Sequence, residues 1–230
     1  MSVITITGLT GSGAPELGAV IAQRAGMDYV DRLILAEAAK GLGATVQAVA
    51  NMSERSQSIG EKISLLLRTV LERAALATPG SDPYFGPGMD AMLVREYRDI
   101  TDQSSVTSSQ QIEDKQLVEV TKSVMEKLAV QGNLVLIGRG ANILLKGWPN
   151  TLHVGLVSHI ESRITRISAR ENMTAVEAQA YIVEGDRARI SYFKRFLKAD
   201  PSDSSNYDVS LNTDTFTISQ CSDVIQSIIV

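Results

Sequence analysis

The sequence is poor in cysteine, in long apolar runs and in positive charge, and each shortage excludes a class of protein. Cys221 is the single cysteine among 230 residues, so no disulfide can form within the chain. No apolar run approaches the roughly 20 residues that a membrane-spanning helix needs, and no basic start precedes an apolar segment as in a secretion signal. We therefore expect a cytoplasmic protein that makes no contact with a membrane.

The charged residues argue against a nucleic-acid partner. Lys and Arg together number 22 and Asp and Glu 26, so the chain is mildly acidic. The two histidines, His153 and His159, are not spaced like the ligands of a metal ion, and we therefore predict no metal site formed by the protein alone.

A regular alternation of strands and helices predicts a parallel sheet with both faces covered. The predicted strands span residues 3–7, 27–30, 134–137, 152–157 and 207–211. The helices predicted around them span residues 15–24, 113–130, 159–170, 174–197 and 219–229. We expect one domain over residues 1–230, with a three-layer α/β/α fold around a five-stranded parallel sheet.

Residues 32–111 have a different character from the rest of the chain. The pattern is helical to residue 77 and clearest over 62–77, where apolar residues recur at i, i+3, i+4 and i+7. That stripe predicts either a core helix or the seam of a homodimer. Residues 78–111 are rich first in proline and glycine and then in polar residues, which indicates a mobile loop over the site.

A glycine-rich turn, Gly8-Leu-Thr-Gly-Ser-Gly-Ala-Pro15, follows the first strand. Such a turn lets backbone N–H groups point inward around an anion, and the helix N-terminus that follows favours negative charge. The phosphate-binding pattern GxxxxGK[ST] fits at Gly8 and Gly13 and then departs, because Ala14 and Pro15 replace the lysine and the hydroxyl residue. The alternative is a tight turn that binds nothing. The predicted cradle consists of Gly8, Gly11, Ser12 and Gly13.

The replacements at positions 14 and 15 weaken transition-state stabilisation and magnesium binding more than they disturb the strand, turn and helix. Losing one preorganised donor to a developing negative charge costs roughly 3–4 kcal/mol of transition-state stabilisation. The missing hydroxyl at Pro15 removes a usual magnesium ligand, and the strand at 134–137 ends without a carboxylate. Glu16 adds a negative charge beside the cradle.

Four short motifs occur in a fixed order later in the chain. They are Gly138-Arg139-Gly140, Glu161-Ser-Arg163, Asp186-Arg-Ala-Arg189 and Tyr207-Asp-Val-Ser-Leu-Asn-Thr213. This succession resembles the cytidylate kinases, most closely a cytidylate kinase-like branch of bacterial proteins that lacks the P-loop lysine. That branch often has an arginine where this chain has Pro15. The resemblance is weakest over residues 42–111. It implies a P-loop kinase fold with its core at 1–31 and 112–230, a helical acceptor-binding portion at 32–111 and a lid at about 171–205.

The resemblance also implies roles for individual residues. Arg139 holds the phosphate of the acceptor, unless it forms a structural ion pair. The lid arginines close over the donor phosphates or else form a solvated basic face; they are Arg187, Arg189 and Arg195. Asp186 orients one of them. Arg163 and Arg166 are either surface charges or partners of the lid. Asp31 binds a substrate hydroxyl, assists magnesium or caps the next helix.

The function that follows is phosphoryl transfer from ATP to a small acceptor such as CMP or dCMP, with Mg²⁺ as the accompanying ion. The expected catalytic residues are Arg139, Arg187 and Arg189. A second hypothesis keeps the fold and nucleotide binding but not turnover, as a regulatory module. A third is an interaction protein without nucleotide, which uses the helix at 62–77 and the loop after it.

Overall fold

The computed structural model describes residues 2–31 and 108–229. The expected acceptor-binding helices, the stripe at 62–77 and most of the predicted mobile loop lie outside these residues. In the part of the chain that the structure describes, the strands are β1 (Val3–Gly8), β2 (Asp28–Val30), β3 (Leu134–Ile137), β4 (Thr151–Val157) and β5 (Val209–Asn212). They form one sheet in the order β2-β3-β1-β4-β5, and every neighbouring pair is parallel. The predicted five-stranded parallel sheet is therefore confirmed.

Helices connect and cover these strands. They are α1 (Ala14–Ala25), α2 (Ser108–Gln131), α3 (Ala141–Leu144), α4 (Ile160–Glu171), α5 (Ala175–Tyr192) and α6 (Ile218–Ile229). A π-helical turn over Phe193–Leu197 prolongs α5, and a 3-10 turn over Ser204–Asn206 precedes β5.

Two predicted boundaries were wrong. Helix α2 begins at Ser108, so residues 108–111 are helical rather than the end of a loop. Its polar first turn carries no apolar stripe, and the helix is anchored further along by buried residues such as Val124 and Leu128. The last strand covers Val209–Asn212 rather than 207–211, because the preceding 3-10 turn keeps Tyr207 out of the ladder.

The sheet is covered on both faces, since successive strand residues point to opposite sides. On one face Ile4, Ile6, Val135, Ile137, Val154 and Leu156 pack against Leu17 and Ile21 of α1 and against Cys221 and Ile225 of α6. On the other face Val3, Val30, Leu134 and Leu136 pack against Val124, Met125 and Leu128 of α2 and against Ala141 of α3. This is the predicted three-layer α/β/α arrangement.

The helix ends follow the local sequence signals. Pro15 lies in the first turn of α1, where its missing N–H costs no helical hydrogen bond. Helix α1 ends at Gly26 in the left-handed conformation, with φ 61°. The capping box that begins α5 is confirmed: Thr174 N–H donates to Glu177 Oε2 at 2.8 Å, and Glu177 N–H donates to Thr174 Oγ1 at 3.3 Å.

His153 and Cys221, which stood out in the sequence, are both buried in the fold. His153 is buried, its Nδ1 lies 2.8 Å from Thr5 Oγ1, and burial lowers its pKa. Cys221 is buried in α6.

Within residues 2–31 and 108–229, no group of three or more His, Cys, Asp or Glu side chains is placed to hold a metal ion. No helix in the same ranges is long and apolar enough to cross a membrane.

Candidate phosphate-binding site

A cavity of about 80 Å³ lies at the carboxyl edge of the sheet, beyond the ends of β1 and β3. Ligands of open α/β sheets bind at this edge. The walls are formed by residues 6–15, residues 137–139, Arg170, Gly185, Arg189 and Phe193. Among these lining residues three are arginines, Arg139, Arg170 and Arg189, and none is a carboxylate. The cavity therefore suits an anion.

The glycine-rich loop between β1 and α1 has the backbone form of a cradle. Gly11 and Gly13 are both left-handed, with φ 82° and 94°. Gly13 is the N-cap of α1, and Ala14 and Pro15 of its first turn line the cavity; because Pro15 has no N–H, the backbone donors of this turn without an acceptor in the helix are those of Ala14 and Glu16. Ser12 lines the cavity at 1% exposure, and its Oγ has no hydrogen-bond partner. A buried hydroxyl without a hydrogen-bond partner next to a helix N-terminus points to a polar ligand.

Helix α4 holds the loop from outside. Arg163 Nη1 donates to the carbonyl of Thr10 at 3.2 Å, and Arg166 Nη1 donates to the carbonyl of Gly11 at 2.5 Å. Arg166 Nη2 also reaches the carbonyl of Thr213, at 3.3 Å, which joins the loop to the end of β5. Because the loop carbonyls are bound on the outer side, the loop is fixed in the conformation that presents its inner side to the cavity.

Two carboxylates next to the loop are paired with arginines of α4, Asp186 with Arg163 and Glu16 with Arg170. Asp186 Oδ1 accepts the N–H of Thr10 at 2.9 Å, and Asp186 Oδ2 accepts Arg163 Nη1 at 2.6 Å. Glu16 Oε1 accepts Arg170 Nη1 at 3.3 Å. Asp186 was expected to orient an arginine of its own helix, whereas the structure pairs it with Arg163 of α4.

The start of α4 is itself fixed to the segment after β5. Asp214 accepts Ser158 Oγ–H at 2.6 Å and the backbone N–H of His159 at 2.7 Å. The hydrogen bond from Ser158, followed by that from His159, lowers the pKa of Asp214 to about 2. Asp214 thus ties the residue before α4 to the segment after β5, and this contact helps to hold α4 in the position from which its arginines reach the loop.

Arg139 follows β3 in the strained turn that the Gly-Arg-Gly sequence permits. Gly138, Arg139 and Gly140 are all left-handed, with φ 74°, 51° and 68°. A non-glycine residue in this region costs of order 1 kcal/mol or more and is typical of functional sites. Arg139 is 6% exposed and lines the cavity, and its role in holding the acceptor phosphate stays a prediction.

The arginines of the predicted lid have different environments. Arg189 lines the cavity; its Nη2 lies 3.3 Å from both Thr7 Oγ1 and Tyr207 Oη, and its guanidinium stacks 4.9 Å from the centre of the Phe193 ring. Arg187 is exposed, and Arg195 stacks on Phe196, so neither lines the cavity. Asp31 is buried after β2 and does not line the cavity either. The site roles proposed for Arg187, Arg195 and Asp31 stay predictions.

Sequence reasoning missed the arginines of α4. Arg163 and Arg166 were left between two roles, and Arg170 was assigned none. Their i, i+3, i+7 spacing places all three on one helix face, next to the apolar residues Ile164 and Ile167. The sequence signal was the presence of arginines on the buried face of an amphipathic helix. Because a buried arginine is almost always paired, this pattern indicates that α4 packs against acceptor groups of another element.

Comparison with known proteins is consistent with this geometry. The model of the cytidylate kinase-like family matches residues 3–215. A cytidylate kinase of Methanocaldococcus jannaschii is 24% identical over 230 residues, which cover 99% of this chain and 97% of that protein. A cytidylate kinase of Methanosarcina acetivorans is 26% identical over 110 residues, 47% of this chain and 61% of that protein. The crystal structure of an uncharacterized protein from Eubacterium ventriosum shares the fold, with a TM-score of 0.63 at 15% identity over 99% of this chain and 97% of that one. With its match over nearly the whole length, the chain belongs to the cytidylate kinase-like family.

Proposed function

We propose that this protein is a phosphotransferase that moves the γ-phosphoryl group of ATP to a small phosphorylated acceptor. One observation carries the proposal: Arg139, Arg170 and Arg189 line the same cavity as the glycine-rich loop, and no carboxylate does so among the described lining residues. Phosphoryl transfer depends mainly on positioning and on stabilising charge spread over the phosphoryl oxygens. Guanidinium groups around a backbone cradle supply both.

The donor phosphates are assigned to the loop and to two of these arginines. The N–H groups at the start of α1 and the Ser12 hydroxyl bind the phosphate oxygens, and Arg170 and Arg189 stand on the α4 and α5 side. Glu16 and Glu171 both accept hydrogen bonds from Arg170, so its guanidinium is fixed beside the cavity before any ligand arrives. In this proposal Arg170 supplies part of the positive charge that is lost because Ala14 stands at the position of the phosphate-loop lysine.

The acceptor phosphate is assigned to Arg139. Arg139 follows β3, the strand beside β1, and lines the same cavity as the loop, so an acceptor phosphate bound to Arg139 would lie near the donor phosphates. The names of the two archaeal relatives favour a cytidine monophosphate acceptor, CMP or dCMP.

A second candidate function is nucleotide binding without turnover, as a regulatory module. The observation that favours it is local: Ala14 and Pro15 remove a cation and a hydroxyl from the cradle, while the backbone that binds phosphate is kept. Loss of one such donor lowers the rate about a hundred- to a thousand-fold.

Measurement of ADP formation separates these two functions. The protein is incubated with ATP and, in turn, CMP, dCMP, UMP or AMP as the acceptor. The phosphotransferase proposal predicts ADP formation that requires the acceptor and is highest with a cytidine nucleotide. Arg139→Met should abolish it, whereas Arg24→Met, at the exposed far end of α1, should not. ATP binding without acceptor-dependent ADP would favour the regulatory module.

A further inference from the structure

The family resemblance implies magnesium beside the donor phosphates, and the residues present do not fit that ion. Mg²⁺ takes near-octahedral oxygen ligands, and proteins hold it through carboxylates and hydroxyl groups at the phosphate loop. We infer that this site binds the polyphosphate of its donor as the free anion, with arginines in place of the metal. The inference rests on the proposed function and defines the form of its substrate.

The donor set of the cavity is unsuited to a divalent cation. The described lining contains guanidinium groups, backbone amides and the side chains of Thr7, Thr10 and Ser12, but no carboxylate. Pro15 stands at the position of the metal-binding hydroxyl. The neighbouring strand β3 ends in Ile137 and continues into Gly138 and Arg139, so a cation replaces the carboxylate that a magnesium site would use there.

The carboxylates nearest the loop are committed to other partners. Both oxygens of Asp186 are hydrogen-bonded, one to the N–H of Thr10 and the other to Arg163. Glu16 is paired with Arg170 and does not line the cavity. Asp31 is 7% exposed and lies outside the lining. Asp186 and Glu16 are thus turned to protein groups, and Asp31 does not line the cavity.

The charges around the cavity also favour the free polyphosphate over its magnesium complex. Three arginines line the cavity, and Arg170 shares its positive charge with Glu16 and Glu171 while Arg139 and Arg189 are paired with neither of these carboxylates. A divalent cation in the same small space would be repelled by the arginines, and a metal-complexed nucleotide would offer them less negative charge to bind. Free polyphosphate keeps its full charge for the arginines.

Calorimetric titration of the full chain tests the inference. ATP is titrated once in EDTA and once in excess Mg²⁺, and inorganic tripolyphosphate serves as a probe without a base. We expect ATP and tripolyphosphate to bind in EDTA, with Mg²⁺ leaving the Kd for ATP unchanged or raising it. Tightening by more than about threefold on adding Mg²⁺ overturns the inference and leaves the proposed function standing. Absence of ATP binding in both buffers overturns both.

Matched variants show which groups hold the anion. Arg170→Met should raise the Kd for tripolyphosphate in EDTA about tenfold or more, because a charge-assisted contact is lost. Arg24→Met should not change it. Asp31→Asn should show the same ratio of the Kd for ATP in Mg²⁺ to that in EDTA as the wild type. A magnesium-dependent affinity that disappears in Asp31→Asn would instead identify Asp31 as a metal ligand and overturn the inference.

Discussion

The carboxylate of Asp186 accepts the backbone N–H of Thr10 at 2.9 Å and so joins helix α5 to the glycine-rich loop. Its second oxygen binds Arg163 of α4, which also donates to the carbonyl of Thr10. One carboxylate therefore fixes the loop, the helix that clamps it and the helix that carries Arg189. The shape of the phosphate site depends on this junction.

Asp186→Asn should destabilise the protein by about 2–4 kcal/mol, because it leaves the Arg163 charge without its partner in a mostly buried place. The side chains of the pair are only 9% and 17% exposed. Urea denaturation measures the change. Asp223→Asn is the control: its pair with Arg24 is 38% and 64% exposed, and its loss should cost under about 1 kcal/mol. Equal effects of the two substitutions would contradict the assigned role of Asp186.

Gly185→Ala should push α5 away from the loop. A Cβ at this position would lie 2.6 Å from Thr10 Oγ1, closer than packed atoms tolerate. We expect a net loss of about 1–2 kcal/mol, since overpacking outweighs the gain in helix propensity. Adding Thr10→Ala removes the opposing Oγ1 and Cγ2 atoms, so the double variant should be at least as stable as Thr10→Ala alone. If the double variant is less stable than Thr10→Ala alone, the contact between position 185 and Thr10 is not the cause of the destabilisation.

Arg189→Met should weaken ATP binding about tenfold or more, because its guanidinium lines the cavity. Arg187→Met should change the affinity less, since that side chain is exposed on the same helix. Titration calorimetry on both variants, with melting temperatures to confirm folding, makes the comparison. Equal losses would instead support the resemblance-based assignment of both arginines to the donor phosphates.

Stability should fall with acid because of His153. Burial lowers its pKa below the ordinary value of 6.5, more than Asp208 raises it, so the imidazole is neutral in the folded chain. As the pH falls, His153 takes up a proton in the unfolded chain before it does so in the folded chain. The contribution of His153 to stability is therefore complete above about pH 6.5 and declines as the pH falls towards the pKa of His153 in the folded chain. His153→Gln should flatten this decline in urea denaturation between about pH 7.5 and pH 5. His159→Gln, at an exposed position, should leave it intact.

Local signals in the sequence predicted the elements that bear the site. The β-branched start, the glycines and Pro15 predicted strand, turn and helix, and the structure has them in that order. Thr174 and Glu177 likewise predicted the beginning of α5. These features depend on residues close together in the chain, which is why a single sequence was sufficient.

The partners of the arginines could not be predicted in the same way. Arg166 meets the carbonyl of Gly11 across 155 positions, and Arg163 meets Asp186 only because α4 and α5 pack together beside the loop. Spacing along a helix defines which side chains share a face but not which element that face meets. Spacing could thus place Arg170 on the face shared with Arg163 and Arg166, but the role proposed for it depends on how α4 packs beside the loop.

The most direct test of the central claim, that the lysine-free loop still binds nucleotide phosphates, is the melting temperature with and without ATP. ATP at about 100 times its Kd should add roughly 2.7 kcal/mol to the folded state. For a domain of this size that raises the melting temperature by roughly 5–10 °C. We expect this rise in the wild type and a smaller one in Arg170→Met. A melting temperature that millimolar ATP leaves unchanged would contradict this claim.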